Sequence, residues 1–155
     1  ENSMKIRGFE IAKGFENQDI RLPERSTKHS AGYDVEAAQD CVIEPFQLGM
    51  KPFLVETGIK AYMQEDEFLM LCNRSSNPFK KGLVMANSVG IIDADYYSNP
   101  DNDGAMKFAF YNFGDKPVFI KKHERIGQAI FMKYSTSDDD KAEKIRDGGF
   151  GSTNR

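Results

Sequence analysis

Asn87-Ser88-Val89-Gly90-Ile91-Ile92-Asp93-Ala94-Asp95-Tyr96-Tyr97 gathers a glycine, two acids and an aromatic around a tight bend. The β-branched residues on either side of Gly90 read as two strand ends meeting in a hairpin, because such residues favour strands and glycine relaxes a bend. A hairpin of this kind bares backbone N–H and C=O groups that could read the edge of a flat polar ligand. Asp93, just beyond, could handle a proton, and Tyr96 offers a ring face for packing. The other reading is a surface turn with Asp93 as a local cap. The segment alone leaves both open.

Four further segments carry reactive or anion-binding groups. Ala31-Gly32-Tyr33-Asp34-Val35 sets an acid beside a strand start, which in isolation is an ordinary turn cap. Arg74-Ser75-Ser76 precedes Asn77-Pro78-Phe79-Lys80-Lys81-Gly82, where a capping Asn, a Pro at the first helical position and a closing Gly predict one helical turn. A guanidinium, two hydroxyls and free helix N–H groups together suit a phosphate, although a plain N-cap cluster uses the same residue types. In Arg125-Ile126-Gly127-Gln128, Arg125 and Gln128 would face opposite sides of a regular strand, so a shared site requires a bulge at Gly127. Last, Arg146-Asp147-Gly148-Gly149-Phe150-Gly151-Ser152-Thr153 reads as a mobile arm whose amides can wrap phosphates and whose single ring can stack on a base. A glycine-rich tail without a role is the plain alternative, but it has little need for an Arg, a Phe and paired hydroxyls together.

The elements that must position these groups are short strands. Met4–Phe9, Cys41–Ile43, Phe53–Val55, Ile59–Met63, Phe68–Cys72, Met106–Tyr111, Pro117–Ile120 and Ile126–Met132 are apolar or alternating runs split by turns. Many short strands without long helical periodicity predict an all-β, jelly-roll-like barrel with one short helix. Residues 4–134 are read as that domain. From Ser135 to Lys144 the chain is polar and charged, a flexible tether leading into the glycine-rich end.

At 155 residues the chain suffices for one domain with one core. Its 39% hydrophobic content, with no run of membrane-spanning length and no signal-peptide pattern, predicts a cytosolic location and no membrane partner. Glu1-Asn2-Ser3 reads as an added leader ahead of Met4. Cys41 and Cys72 make no disulfide framework and are expected as reduced, buried thiols. Two histidines, His29 and His123, leave little for a His/Cys zinc site or a Ser-His-Asp triad. A net charge of −3 argues against general nucleic-acid binding, so an anionic ligand needs local cations or a metal that it brings along.

In this order the five segments, running from Ala31 to Thr153, resemble the motifs of the trimeric dUTPases, closest to forms from Gram-positive bacteria and their phages. The resemblance implies hydrolysis of dUTP to dUMP and pyrophosphate by a homotrimer, each active site assembled from all three subunits. Residues 135–155 would then complete a neighbouring site. Asp93 would be the general base for a water attacking the α-phosphorus. Mg2+ would ride on the triphosphate, with Asp34 reaching it through water, and Arg74, Arg125 and Arg146 would add neutralising charge. Ser75, Ser76 and Gln128 fall among the phosphate-binding residues, and Gly151, Ser152 and Thr153 belong to the arm that closes over the γ-phosphate. Uracil would be read through the backbone of Gly90 and Ile91 with help from Asn87, Tyr96 would lie against the deoxyribose, and Phe150 would stack on the base.

The chain departs from the family pattern at four places. Ser98 stands where glycine is usual and is followed by an extended loop, Asn99-Pro100-Asp101-Asn102-Asp103-Gly104, whose role is unreadable. His123 and Asn154 also replace glycines, and Arg146 sits one residue nearer Phe150 than in many members. Two rival readings share the fold. A dCTP deaminase is one, disfavoured by the arm; the other is a nucleotide-dependent regulatory binding protein using the loop after Ser98.

Overall fold

Runs that alternate in sequence alternate in burial. In Glu67–Asn73 the residues Glu67, Leu69 and Leu71 are buried while Phe68 and Met70 are half-buried, the period-2 signature of a strand with one face on the core. The structure, a computed structural model, describes residues 4–149 and Thr153. It contains twelve strands: β1 Gly8–Ile11, β2 Glu24–Arg25, β3 Tyr33–Glu36, β4 Cys41–Ile43, β5 Phe53–Glu56, β6 Ile59–Tyr62, β7 Glu67–Asn73, β8 Leu83–Met85, β9 Gly90–Asp93, β10 Lys107–Asn112, β11 Val118–Ile120 and β12 Arg125–Lys133. A five-stranded sheet of order β2-β3-β12-β7-β9 faces a three-stranded sheet, β5-β10-β8, and two ribbons, β1-β6 and β4-β11, complete the structure. All of these strand pairs are antiparallel. The chain has the all-β, jelly-roll-like barrel that its sequence predicts.

The core lies between the sheets. Val35, Leu69, Leu71, Ile126 and Ala129 from the larger sheet meet Val55, Leu83, Phe108 and Phe110 from the smaller one. Phe108 and Phe110 are fully buried, and each such ring contributes about 1.5–3 kcal/mol by leaving water. The first strand is displaced from its expected span: Gly8–Ile11 pairs with β6 from Tyr62 to Ile59, while residues 4–6 are exposed and form no strand. β8 was missed in the sequence because three residues are too few for a period to register.

The bulge anticipated at Gly127 is present. Arg125 pairs with Glu36 and Gly127 with Val35, so one extra residue enters β12 there. Ile126 and Ala129 consequently face the core while Arg125 is exposed and Gln128 half-buried. Only glycine fits, because a Cβ at 127 would stand 2.2 Å from Phe108 Cε1 and 2.9 Å from the Cys72 carbonyl oxygen. Gly127→Ala is therefore expected to lower unfolding free energy by about 1–3 kcal/mol through overpacking, measured by chemical denaturation.

The helical turn also forms, as a π-turn over Asn77–Lys81 that Gly82 closes in the left-handed conformation at φ +67. Asn77, however, is not its side-chain cap. It is 2% exposed and points inward, where Nδ2 donates to Asn73 Oδ1 at 2.8 Å and to the Ile126 carbonyl at 3.0 Å. The two cysteines are free but half-buried rather than buried, and burial pushes both thiols up. Beyond β12, the described residues to Gly149 form neither strand nor helix. Residues 132–145 are all exposed, whereas Gly149 is buried. Among the described residues no helix is long and apolar enough to cross a membrane.

Candidate active site

The segment from Asn87 to Tyr97 is built differently from the hairpin expected of it. β8 pairs with β10 and β9 pairs with β7, so the chain crosses from the smaller sheet to the larger one between Met85 and Gly90. The bend falls before the glycine. Ser88 takes φ +63, its N–H reaches the Met85 carbonyl at 3.2 Å, and the Val89 N–H closes onto the Asn87 carbonyl at 2.7 Å. Gly90 serves instead as the first residue of β9, opposite Leu71, where a Cβ would come within 3.0 Å of the Leu71 side chain. β9 is the last strand of its sheet, so its outer edge presents unpaired backbone groups among the described residues.

A 3-10 turn, Ala94–Tyr96, follows β9 directly and brings Tyr96, 8% exposed, beside Asp93. Asn87, Gly90, Ile91, Asp93, Tyr96, Arg146 and Thr153 thereby line one cavity of about 190 Å3. Lys107 lines it too, from β10, where it stands opposite Glu56 and pairs with it at 3.4 Å. Nothing in the local sequence marked Lys107, since a charged residue on a half-buried strand reads as a solvated position.

Arg146 lies on Asp93, which lines this cavity, and on Asp95, which lines an adjoining one. Its Nη2 donates to Asp93 Oδ2 at 2.7 Å, its Nε donates to Asp95 Oδ1 at 2.8 Å, and the guanidinium sits 5.6 Å from the centre of the Tyr96 ring. Burial works against the charge, but the hydrogen bond to Asp95 and the two carboxylates outweigh it and hold the guanidinium firmly protonated. In the sequence this residue pointed to phosphate; in the folded chain its partners are Asp93 and Asp95. Asp95 is thus a partner of Arg146 to which the sequence alone assigned no role.

The loop after Ser98 is tied down rather than loose. Lys60 pairs with Asp103 at 2.9 Å, donates to Ser98 Oγ at 3.0 Å, and lies 4.7 Å from the centre of the Tyr97 ring. Tyr97 donates from its hydroxyl to Glu10. Burial pushes the Asp103 carboxyl up, but the Lys13 N–H and the Lys60 ammonium prevail and hold it below the usual carboxylate range.

The remaining expected residues gather elsewhere. Asp34 on β3 stands opposite Gln128 on β12, and Arg125 Nη1 lies 3.7 Å from Asp34 Oδ2. Gly32 makes room for the Gln128 side chain, since a Cβ there would be 2.1 Å from Gln128 Oε1. Arg74 leaves the end of β7 and donates from Nη1 to the Arg125 carbonyl at 3.3 Å, with Ser75 and Ser76 next in the chain. Asp34 and Arg125 line a second cavity of about 300 Å3 together with Arg21, Glu24, Glu36 and His123. His123 occupies its turn at φ +71, and its Nδ1 and Nε2 meet Glu36 at 3.1 Å and Asp19 at 3.2 Å. Among the described residues no three His, Cys, Asp or Glu side chains converge to hold a metal ion unaided. Such a set suits a cation that arrives with its own phosphate ligands and touches Asp34 through water.

The two groups do not meet. Along β7, Asp93 pairs at Phe68 and Gln128 at Cys72, on opposite flanks of the strand. That places them about 13 Å apart along the strand and about 10 Å across it. Phe150, Gly151 and Ser152 lie outside the described residues.

Comparison with known proteins points one way. The family model described as dUTPase matches residues 18–154. A deoxyuridine 5'-triphosphate nucleotidohydrolase of Lactococcus lactis is 51% identical over 152 residues, covering 97% of this chain and 99% of the relative. The crystal structure of the dUTPase from Streptococcus mutans superposes with a TM-score of 0.78 at 44% identity, over 84% of this chain and 98% of that one. The dUTPase of Staphylococcus aureus phage phi11, solved with a structural Mg(II) ion, shares the fold at a TM-score of 0.70 and 19% identity, over 90% and 98% of the two chains.

Proposed function

The chain belongs to the dUTPase family and hydrolyses dUTP, and from that premise we propose that it does so in active sites shared between three copies of itself, with Asp93 as the general base. The observation that carries this reading is the separation within one chain. Asp93 pairs at Phe68 near the start of β7, whereas Gln128 pairs at Cys72 on its opposite flank, with Arg74 and Arg125 beyond that end of the strand. A water must be held against the base and a triphosphate against the cations at the same time, and this separation supports a second group supplied by another copy.

Uracil enters the cavity beside β9, where the backbone of Gly90 and Ile91, with Asn87, pairs with its polar edge. Tyr96 packs on the deoxyribose. Asp93 takes a proton from water as the water oxygen bonds to the α-phosphorus; the bond from that phosphorus to the bridging oxygen breaks, and pyrophosphate leaves. Arg74, Arg125, Ser75, Ser76 and Gln128 of a neighbouring copy hold the phosphate oxygens. Mg2+ carried by the triphosphate would offset charge on the leaving pyrophosphate, and Asp34 is the residue to meet its water shell. The incoming phosphates also compete with Asp93 for Arg146, whose release bares the carboxylate. Phe150, Gly151, Ser152 and Thr153 then close over base and phosphate.

Incubation with Mg2+ and, separately, dUTP, dCTP, dTTP or UTP tests the activity. Pyrophosphate and dUMP are expected from dUTP, with the other three cleaved at most slowly. Ammonia release from dCTP without pyrophosphate would replace this reading with a deaminase.

A further inference from the structure

Loop 99–104 grips Tyr96 at both ends. Asn99, 6% exposed, donates from Nδ2 to the Tyr96 carbonyl at 2.8 Å, and Asn102 donates from Nδ2 to the Tyr96 hydroxyl at 2.8 Å. The Asn102 amide is itself fixed, because its Oδ1 accepts from Asn99 Nδ2 at 2.8 Å and from the Gly104 N–H at 3.0 Å. Gly104, at φ +87, lets the loop return so close that a Cβ would stand 2.8 Å from the Tyr96 carbonyl oxygen. The same amide meets the start of the arm. A Cβ on Gly149 would lie 2.7 Å from Asn102 Nδ2, and the Gly149 N–H reaches Asp101 Oδ2 at 3.3 Å.

We propose that Asn102 is a specificity-positioning residue: it fixes the Tyr96 ring where a ribose 2'-hydroxyl would need room, and it ties that hold to the seating of the arm at Gly149. The inference rests on Tyr96 packing against the deoxyribose, as proposed above. A tyrosine side chain has two rotatable bonds, so a ring held only by packing can tilt to admit an extra hydroxyl. A hydrogen bond at its tip removes that freedom. The donor is positioned by two bonds to its other end, so the restraint is already in place before the nucleotide arrives.

The test compares kcat/KM for dUTP and UTP in the wild-type protein, Asn102→Ala, Tyr96→Phe, the double variant and Gly149→Ala, with circular dichroism to check folding. Losing one hydrogen bond of ordinary strength is expected to cut the dUTP-over-UTP preference by about three- to tenfold in each single variant. The double variant should lose no more than the larger single loss, since both substitutions remove one bond. Gly149→Ala, which drives the amide off the hydroxyl, should shift the preference the same way. A purely structural role would slow both substrates alike. An unchanged preference in Asn102→Ala and Tyr96→Phe, or additive losses in the double variant, would overturn the proposal. An unchanged preference in Gly149→Ala would overturn the link to the arm. If Asn102→Ala does not fold, Tyr96→Phe decides by itself. Absence of dUTP cleavage by the wild-type protein is a separate failure, that of the function proposed above.

Discussion

Asp93→Asn is expected to lower the turnover of dUTP by about 10²–10⁴-fold while leaving nucleotide binding intact. The range is that of a positioned general base, and it corresponds to about 2.7–5.5 kcal/mol of lost transition-state stabilisation. The carboxamide keeps the size and planarity of the side chain but cannot accept the proton of the attacking water. Arg146 remains anchored in the variant, because its second bond, from Nε to Asp95 at 2.8 Å, does not involve residue 93. Single-turnover kinetics measures the chemical step, and calorimetry with an α,β-imido analogue of dUTP measures binding. Lost affinity in a folded variant would recast Asp93 as a ligand contact; undiminished turnover would remove it from the mechanism.

The second large effect is a recovery. Asp93→Asn and Arg125→Ala should each be nearly inactive alone, yet a mixture assembled at equal ratio should regain about a quarter of wild-type activity. A site that takes Asp93 from one copy and Arg125 from another has an even chance of each being intact, and the two chances multiply. Sites confined to single chains would regain nothing, because every chain carries one lesion. Co-expression followed by measurement of dUTP cleavage gives the answer, and the dependence on mixing ratio identifies the mixed assemblies.

Most of the longer strands and the bulge were legible because each leaves a mark in neighbouring residues: alternation for β7, and a glycine breaking alternation for β12. Gly90 misled. Its presence suggested a conformational need at a turn, whereas φ +63 falls on Ser88 and the glycine answers to the bulk of Leu71, a residue 19 positions away in the chain. Asn77 misled in the same way, having the composition of a cap and the packing of an interior strut between β7 and β12. Spacing along the chain also carries no distance through space. Asp93 and Gln128 belong to one catalytic reading, yet their separation across β7 appears only once the register is known. Lys107 left no mark because its bond is to Glu56, a residue that only folding brings near. Arg146 was legible as a charge poised for an anion, but its bonds to Asp93 and Asp95 were not, since a sequence records a charge and not what the charge faces.

On the reading proposed here, the base is recognised by the bare edge of β9, and that has a consequence for drug resistance. A uracil-mimicking inhibitor held there would bind amide groups that every amino acid carries, so replacing Ile91, whose side chain is half in solvent, changes little that the inhibitor touches. Position 90 is a narrow route too, because a Cβ there would stand 3.0 Å from the Leu71 side chain. Escape by point substitution is left to the neighbours that hold the edge in place, and each of those changes also taxes the cell's own substrate.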